Sequence, residues 1–379
     1  MSTIYLDNSA TTIYKPKNVQ KMVELAMQNY SATAGRGGHR ESIKTGMRVF
    51  ETREKIANFV GSSNPLNVVF GYNCTECLNM AIFGTAKKGH VICTVNEHNS
   101  VLRPLEKLAQ SGLITYSVVP QPKERNLMRE DIEPYIKDDT YLIICNHVSN
   151  VNGDTCDVES VGKLAKEKNI LFLVDMAQSA GHLKMDMEKY GVSMVTLASH
   201  KGLYGIQGAG ALVFTDGIVL NPLIYGGTGT NSEELVQPES SPERYESGTL
   251  GVPAILSMSA GIDFIKENGA FIKHRIDDLQ TYIHYEFSKL PLEIYTNPDN
   301  TSGVFAFNIP NYSSSEIANY LSEKHGLCVR SGLHCAPLKH KSLGTLDRGA
   351  IRVSLAVNNT FSEVEHFVSC IKHILKHGI

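Results

Sequence analysis

Two side chains in the middle of the chain have the types and spacing that a carbonyl cofactor needs. Lys201 follows the apolar run 194–198 and precedes a glycine-rich turn, and Asp175 follows the apolar run 170–174. Short apolar runs of this kind are typical of buried strands. A lysine amine can form a Schiff base with pyridoxal phosphate (PLP), and a carboxylate can keep the pyridine nitrogen of that cofactor protonated. Either residue alone would fit a surface lysine or a plain strand end, but together they predict a PLP site.

Length and composition narrow the class of protein. A chain of 379 residues with 42% hydrophobic content predicts one large and one smaller domain with a substantial core. The formal net charge of −3 and the pI near 6.5 predict no basic surface for a nucleic-acid partner. No apolar stretch has the length of a membrane span, and the N-terminal residues lack the apolar segment of a signal peptide. We therefore expect a cytoplasmic protein with no membrane partner.

The eight cysteines do not have the pattern of a disulfide-rich secreted domain. Cys74 and Cys77 stand in a C-x-x-C, which is also the spacing of a redox pair or of half a zinc site. No second pair follows at zinc-site spacing, and 73–76 is typical of a strand-to-helix turn, so we predict no metal site. Three cysteines lie in apolar runs and are predicted core residues: Cys93, Cys145 and Cys328. The sequence around Cys156 and Cys370 does not indicate a role for either residue.

Apolar runs alternate with helical patterns through the first two-thirds of the chain. Seven runs are predicted strands: 68–70, 90–95, 115–119, 141–145, 170–174, 194–198 and 211–214. Helical spacing occurs at 76–86, 100–110 and 157–168, and Asp157 is placed to cap the last of these. This alternation predicts an α/β fold in which helices cover a mostly parallel sheet and ligands bind at the carboxyl ends of the strands.

The pattern changes from about residue 251. A long helical stretch, 254–290, leads to hairpin-like strands at 304–309 and 351–355 and to a final helix at 362–375. The predicted division is an N-terminal arm, 1–14, a large cofactor-binding domain, 15–258, and a small C-terminal α+β domain, 259–379. The segment 226–241, rich in Gly, Ser, Thr and Glu, is predicted to be a mobile surface loop.

Six segments carry a resemblance to a known family: YLDNSATT at 5–12, EH at 97–98, NHVSN at 146–150, DMAQ at 175–178, HK at 200–201 and RSGLHCA at 330–336. From residue 4 to about 359 their order and spacing resemble the class V aminotransferase family, and most closely its cysteine desulfurase and selenocysteine lyase branch. The resemblance implies the PLP-dependent fold type I. That fold has a large domain with a mostly parallel seven-stranded sheet between helices and a smaller C-terminal domain. It also implies a homodimer with active sites at the subunit interface.

The resemblance assigns roles to individual positions. Lys201 would form the Schiff base and move protons, Asp175 would pair with the pyridine nitrogen, and Gln178 would hydrogen-bond the phenolic oxygen. His98 would stack on the ring and act as an acid–base group, although its place also suits a surface histidine at a helix start. The phosphate would be bound by five residues: Cys74, Thr75, Ser199, His200 and, reaching the phosphate of the partner subunit, Thr249.

The substrate carboxylate would be held by Asn150 and Arg352. A guanidinium suits this task because it is planar, bidentate and always charged. The chain departs from the family pattern near the phosphate. The family often has a serine three positions before the lysine, where this chain has Ala198, and Ser199 stands two positions before it. Cys74 occupies a place where a small residue or a threonine is more usual.

Cys335 decides which reaction the resemblance implies. A transaminase needs only the cofactor, its lysine and a carboxylate clamp, whereas a desulfurase also needs a thiolate that accepts the substrate sulfur as a persulfide. Arg330 and His334 could help to lower the pKa of this thiol. The alternative is a buried structural cysteine. The compact segment around Cys335 resembles the second desulfurase group, whose activity often depends on a sulfur-acceptor protein.

The leading hypothesis is a PLP-dependent cysteine desulfurase that converts L-cysteine to L-alanine and leaves persulfide sulfur on Cys335 for an acceptor. A selenocysteine lyase acting on L-selenocysteine would need nearly the same residues. Another class V transaminase or lyase, and a scaffold that has kept the fold without activity, are the remaining alternatives.

Overall fold

The computed structural model describes residues 3–300 and 302–379, so the first two residues of the predicted arm, 1–14, lie outside the description. The chain opens with a two-residue strand, β1 (Ile4–Tyr5), and two helices that the sequence did not predict, α1 (Lys17–Asn29) and α2 (Arg40–Val60). Helix α2 begins where the His39 ring accepts a hydrogen bond from the Ser42 N–H. It ends at Gly61, whose left-handed φ of 70° suits glycine.

The central sheet has seven strands in the described part of the chain: β2 (Val68–Gly71), β3 (Gly89–Thr94), β4 (Ile114–Val119), β5 (Thr140–Asn146), β6 (Leu171–Asp175), β7 (Met194–Ala198) and β8 (Gly210–Phe214). Their order is β2-β8-β7-β6-β5-β3-β4. Strand β8 is antiparallel to both of its neighbours, and the remaining neighbours are parallel. The predicted strands and the mostly parallel sheet are confirmed.

Helices cover the sheet on both faces: α3 (Cys74–Gly84), α4 (Asn99–Gln110), α5 (Arg129–Ile132), α6 (Val158–Glu167) and α7 (Met187–Tyr190). Asp157 caps α6 as predicted, since its side chain accepts a hydrogen bond from the Ser160 N–H. Along β5, Ile143 belongs to the core on one face of the sheet and Leu142 to the core on the other. Strands that are covered on both faces need apolar residues at nearly every position, which explains the continuous apolar runs.

The C-terminal part is built from four helices and four short strands among the described residues: α8 (Val252–Phe287), β9 (Glu293–Ile294), β10 (Val304–Asn308), α9 (Ser314–His325), β11 (Leu327–Cys328), α10 (Pro337–Ser342), β12 (Ile351–Ser354) and α11 (Phe361–His377). The predicted domain boundary at 258 falls inside the continuous helix α8 and stays a prediction. Strands β10 and β12 pair antiparallel, but they are not a hairpin, because α9, β11 and α10 lie between them in the chain.

The N-terminal strand pairs with a strand of the C-terminal part. Strand β1 runs parallel to β11, with Ile4 opposite Leu327. Residues 226–241 contain no helix or strand in the structure as described, and their predicted mobility stays a prediction. Across 3–300 and 302–379, no helix is both long enough and apolar enough to cross a membrane.

Candidate active site

Polar side chains from adjacent strands meet at the carboxyl edge of the central sheet. Asn146 and Asp175 end β5 and β6 and lie opposite each other in the parallel ladder. Strand β7 ends at Ala198, and Lys201 follows in the turn after it. Because the three strands run in the same direction, the sheet brings the carboxylate and the amine to the same edge. The predicted position of Lys201 and Asp175 at the ends of two neighbouring strands is confirmed.

Burial controls the chemistry of Lys201 and Asp175. Asp175 is buried, and its Oδ1 accepts a hydrogen bond from the Ala177 N–H at 2.8 Å. Burial lowers the pKa of the Lys201 amine, and the charge of Asp175 acts in the opposite direction. The neutral amine, which is the nucleophilic form, is therefore reached more easily than on a surface lysine.

The first turn of α3 forms one wall of the site. Asn73 caps this helix, so the N–H groups of Cys74 and Thr75 lie in the first turn, where helix geometry gives them no intrahelical partner. The Cys74 Sγ lies 3.6 Å from the Asp175 Oδ1. A side chain at Gly210 would approach the carbonyl carbon of Asn73 to 2.6 Å, so glycine lets β8 pass close to this turn. The turn is therefore placed to bind an anionic group beside Asp175.

A chain of hydrogen bonds joins Thr75 to His98. The Ser100 Oγ lies 2.8 Å from the Thr75 Oγ1 and 2.8 Å from the His98 Nδ1. His98 is the cap of α4, and its Nδ1 also accepts the Ser100 N–H at 3.1 Å, so a neutral His98 ring carries its proton on Nε2. Burial, the largest cause, lowers the pKa of His98. Sequence reasoning missed Ser100, although a hydroxyl two residues after a helix-capping histidine was a signal for it.

Ser199 does not face α3. Its hydroxyl lies 3.5 Å from the Ser257 Oγ on α8, whereas Ala198 packs in the same core as Cys74. Successive residues of an extended chain point to opposite faces, so the Ser199 hydroxyl points away from α3, and its phosphate contact stays a prediction. His200 differs, because its Nδ1 is buried with no hydrogen-bond partner among the residues described. Burial, aided by the charges of Lys201 and Lys15, lowers the pKa of His200 to about 4.

Gln178 and Thr249 lie in different places within one subunit. The Gln178 side chain donates a hydrogen bond to the Ser9 carbonyl at 3.1 Å and lines a small cavity together with Lys201. Thr249 is exposed and lines another cavity with Tyr72, whose hydroxyl donates to the Thr249 carbonyl at 3.3 Å. The fold thus brings Gln178 to Lys201 and leaves Thr249 at the surface.

Arg352 and Asn150 are held together by hydrogen bonds. Arg352 is only 2% exposed, and its Nη1 donates to the Asn150 carbonyl at 2.9 Å. Its Nη2 pairs with the Asp7 carboxylate at 2.6 Å, an interaction that the sequence did not predict. The Arg352 Nε is buried and, in the described structure, has no partner. The Asn150 side chain donates to the His334 carbonyl at 2.6 Å, which connects this pair to the segment carrying Cys335.

Cys335 is exposed, so the alternative of a buried structural cysteine is wrong. His334 and Cys335 both have left-handed backbone angles, φ 49° and 58°, which are unfavourable for residues other than glycine. The Cys335 carbonyl accepts the Asn99 N–H at 2.7 Å, which ties this turn to the start of α4. Cys335, His98 and Thr75 line one cavity of about 400 Å³.

The expected contribution of His334 to the thiol is not supported. Its ring stacks on His340 with a centroid distance of 5.5 Å. Burial, the largest cause, and the charge of Arg352 hold the pKa of His334 well below its usual range. A neutral imidazole supplies no positive charge to a thiolate. Arg330 is exposed, and its backbone pairs with that of Arg352.

The C-x-x-C has no property of a reactive pair. Cys74 and Cys77 are buried, and burial raises the pKa of both thiols. Since the thiolate is the reactive form, such cysteines are poor nucleophiles. Their positions in α3 give them a packing role.

The site has the groups that phosphopyridoxal chemistry requires. The start of α3 and the unpartnered His200 Nδ1 offer donors to a phosphate. Asp175 offers a buried carboxylate to a protonated ring nitrogen, and the half-buried Lys201 offers its amine to an aldehyde carbon. The residues present therefore fit PLP.

Comparisons with known proteins agree with this geometry. The family model described as aminotransferase class-V matches residues 4–367. A probable cysteine desulfurase of Methanothermobacter thermautotrophicus is 32% identical, over 99% of this chain and 95% of its own. A probable cysteine desulfurase of Pyrococcus abyssi is 33% identical, over 98% and 94%. The solved apo structure of a cysteine desulfurase from Thermococcus onnurineus NA1 has a TM-score of 0.92 at 31% identity, covering 99% of this chain and 95% of that one.

Proposed function

Since the chain belongs to the class V aminotransferase family, we propose that it is a PLP-dependent cysteine desulfurase with Cys335 as its nucleophile. The observation that carries the proposal is an exposed thiol that shares a cavity with His98, at the edge of the sheet where Lys201 and Asp175 lie. A transaminase has no use for such a thiol. The selenocysteine lyase and the other class V alternatives are not favoured, because the relatives named above are probable cysteine desulfurases and the solved structure is that of a cysteine desulfurase.

Three residues would act on the cofactor. When bound, PLP supplies an electron sink that makes bonds around the substrate α-carbon easier to break. Lys201 would hold the cofactor through its amine and, once free, would move protons at the substrate carbon. Asp175 would keep the ring nitrogen protonated, and Gln178 would donate a hydrogen bond beside Lys201. The N–H groups of Cys74 and Thr75 and the His200 ring would bind the phosphate.

His98 is suited to move a proton at Nε2. Its Nδ1 is occupied by the Ser100 N–H, so Nε2 carries the exchangeable proton of the neutral ring. The lowered pKa keeps most of the ring neutral at pH 7. We propose that His98 gives and recovers this proton during the reaction.

Arg352 would recognise the α-carboxylate of L-cysteine. It has a buried, unpartnered Nε–H in the described structure and an Nη2 that already binds one carboxylate, that of Asp7. Charge-assisted pairs of this kind are stronger than neutral hydrogen bonds and fix the orientation of the bound group. Asn150, held by the Arg352 Nη1, would line the same subsite.

The last step would move the substrate sulfur to Cys335. The Cys335 thiolate attacks the sulfur of the substrate, an S–S bond forms and the Cβ–S bond breaks. The electron pair of the broken bond stays with Cβ, which takes up one proton and becomes the methyl group of L-alanine. The carbon is reduced by the two electrons that the paired sulfur atoms lose. The exposed position of Cys335 would then let a sulfur-acceptor protein collect the persulfide.

We further propose a homodimer. Large apolar side chains are exposed on α2 and on the segment that precedes Thr249, among them Ile43, Met47, Phe50, Ile224 and Tyr225. A monomer rarely exposes so many in one region. The exposed Thr249 could reach the partner subunit's phosphate across such an interface, and light scattering of the purified protein would test the dimer.

A cytoplasmic location is also proposed. All eight cysteines are free thiols, six of them buried. Free thiols in this number suit a reducing compartment better than an oxidising one. Fractionation of the source cells would test this location.

The proposed reaction is tested by mass spectrometry after incubation with L-cysteine. We expect an added sulfur on the peptide containing Cys335 and formation of L-alanine. Cys335→Ala should keep the bound cofactor and lose persulfide formation, and Cys328→Ala, a half-buried control, should keep both. Persulfide on another cysteine, or normal turnover by Cys335→Ala, would overturn the assignment.

The cofactor assignment is tested separately. Borohydride should fix the cofactor on the peptide that contains Lys201, and Lys201→Ala should abolish turnover. Lys15→Ala is the control. Burial also lowers the pKa of the Lys15 amine, to about 8, but this amine hydrogen-bonds to Thr12. Cofactor fixed on Lys15 would refute the role of Lys201.

A further inference from the structure

A second group of reactive side chains lies at the C-terminal end of the chain, outside the cavity of Cys335. Helix α11 carries His366, Cys370, His373 and His377, at spacings of four, three and four residues. With 3.6 residues per turn, these spacings place all four side chains on one face of the helix. The His373 and His377 rings are in contact, with centroids 4.7 Å apart.

His325, the last residue of α9, completes the group. Ligand atoms of His325, His366 and Cys370 all lie within 4.8 Å of one another. The Cys370 Sγ is 3.7 Å from the His366 Nε2. Two ligands of a tetrahedral zinc ion, one nitrogen and one sulfur, lie about 3.5 Å apart when the bond lengths are ~2.0 and ~2.3 Å. The helix pair therefore holds these two atoms at a separation that zinc could bridge with little movement.

One ligand atom of this group lacks a hydrogen-bond partner within the described residues. The Nε2 of His325 is buried with no hydrogen-bond partner in the described structure, and Cys370 is also buried. A bound cation would use the neutral imidazole and displace the proton of the thiol.

We propose that His325, His366 and Cys370 bind a zinc ion in four-coordinate geometry, with His373 or a water molecule as the fourth ligand. Two imidazoles and one thiolate are ligands for borderline and soft cations, whereas magnesium and calcium require oxygen ligands. The ion would join the end of α9 to α11. It would therefore fix the start of β11, which leads into the segment carrying Cys335. The site is independent of the proposed desulfurase reaction.

The test uses the untagged holoprotein with Cys335→Ala as background, so that the exposed thiol does not compete for metal. Zinc should bind at one equivalent per chain and raise the melting temperature. Cobalt should give the strong visible bands of a tetrahedral ion, together with a thiolate charge-transfer band in the difference spectrum. Cys370→Ala should abolish the charge-transfer band and weaken binding by about 100-fold or more, because even outer-shell changes cost about 10–100-fold.

His366→Asn keeps the test decisive if the buried cysteine variant does not fold. His366 is exposed, so its replacement should leave the packing of α11 intact while weakening zinc binding to the same degree. The control is His274→Asn, since His274 is an exposed histidine on α8 whose side chain is 82% accessible. Unchanged zinc affinity in both His366→Asn and Cys370→Ala, or an octahedral cobalt spectrum, would overturn the proposal.

Discussion

Replacing Arg352 by lysine keeps a positive charge in the carboxylate subsite but removes the planar fork of the guanidinium. Arg352 is only 2% exposed and uses two of its nitrogens within the protein, one on Asp7 and one on Asn150. A lysine amine is a single point of contact. It cannot hold Asp7, the Asn150 carbonyl and a substrate carboxylate in the same geometry. We therefore expect Arg352→Lys to bind L-cysteine poorly.

The size of the effect follows from the contacts that are lost. A hydrogen bond to a charged group contributes about 1.5–3 kcal/mol. If lysine replaces two N–H contacts to the substrate by one, one such contribution disappears. The loss corresponds to roughly a 10- to 150-fold decrease in kcat/KM, since every 1.4 kcal/mol is about tenfold. Most of it should appear as a higher KM, because the substrate carboxylate is present in both the ground state and the transition state.

The assay is steady-state release of L-alanine, with L-alanine binding measured independently by titration of the cofactor absorbance. Arg348→Lys is the matched control, because Arg348 is a half-exposed arginine that pairs with Glu293 in the same part of the fold. Circular dichroism checks that both variants fold. A folded Arg352→Lys with unchanged KM and unchanged affinity for L-alanine would refute the carboxylate role.

Three further outcomes follow from the same structure. Asp7→Asn leaves the Arg352 charge without its partner and should lower the free energy of unfolding by about 2 kcal/mol. This loss is smaller than for a fully buried pair because Asp7 is partly exposed, and it should appear as a lower melting temperature. Gly210→Ala should reduce the bound cofactor measured by absorbance, since the new methyl group meets the start of α3. Burial lowers the pKa of His147 and of His182 to about 4. Below pH 6.5 or so, these two histidines therefore take up protons in the unfolded chain while they stay neutral in the folded chain. As the pH falls from there to 4, the free energy of unfolding should decrease by up to about 1.4 kcal/mol per pH unit for each histidine. A melting temperature that is flat over this range, or a slope unaffected by His182→Gln, would contradict this.

The central sheet could be predicted because its strands are buried on both faces. Burial on both sides requires apolar side chains at consecutive positions, so the strands appear as uninterrupted apolar runs. Residues that follow such runs, Asp175 and Lys201 among them, then fall at the carboxyl edge by the parallel topology alone. Helix α6 was predictable from its cap, since Asp157 bonds within its own first turn.

The features that the sequence did not predict depend mostly on contacts between residues far apart in the chain. The pairing of Asp7 with Arg352 joins residues 345 positions apart, and no local pattern reports it. The contact of the Ser199 hydroxyl with Ser257 joins residues 58 positions apart, and no local pattern reports it either. Strands β10 and β12 pair although β11 lies between them in the chain, and β11 pairs with β1 instead. Helix α2 was missed because its exposed face carries apolar side chains such as Met47 and Phe50, which blur the helical pattern.

The proposed chemistry has two parts, cofactor binding by Lys201 and sulfur transfer by Cys335, and they need opposite environments. Different elements of the fold provide these environments. Lys201 needs removal from water, which favours its neutral amine and lowers the pKa of that amine at the turn after β7. Cys335 needs exposure, because a persulfide must reach an acceptor outside the protein. A left-handed turn at His334 and Cys335 achieves this, while the Asn99 N–H and the Asn150 side chain bind its backbone to the walls of the site. The thiol can therefore face solvent while its backbone stays fixed beside His98.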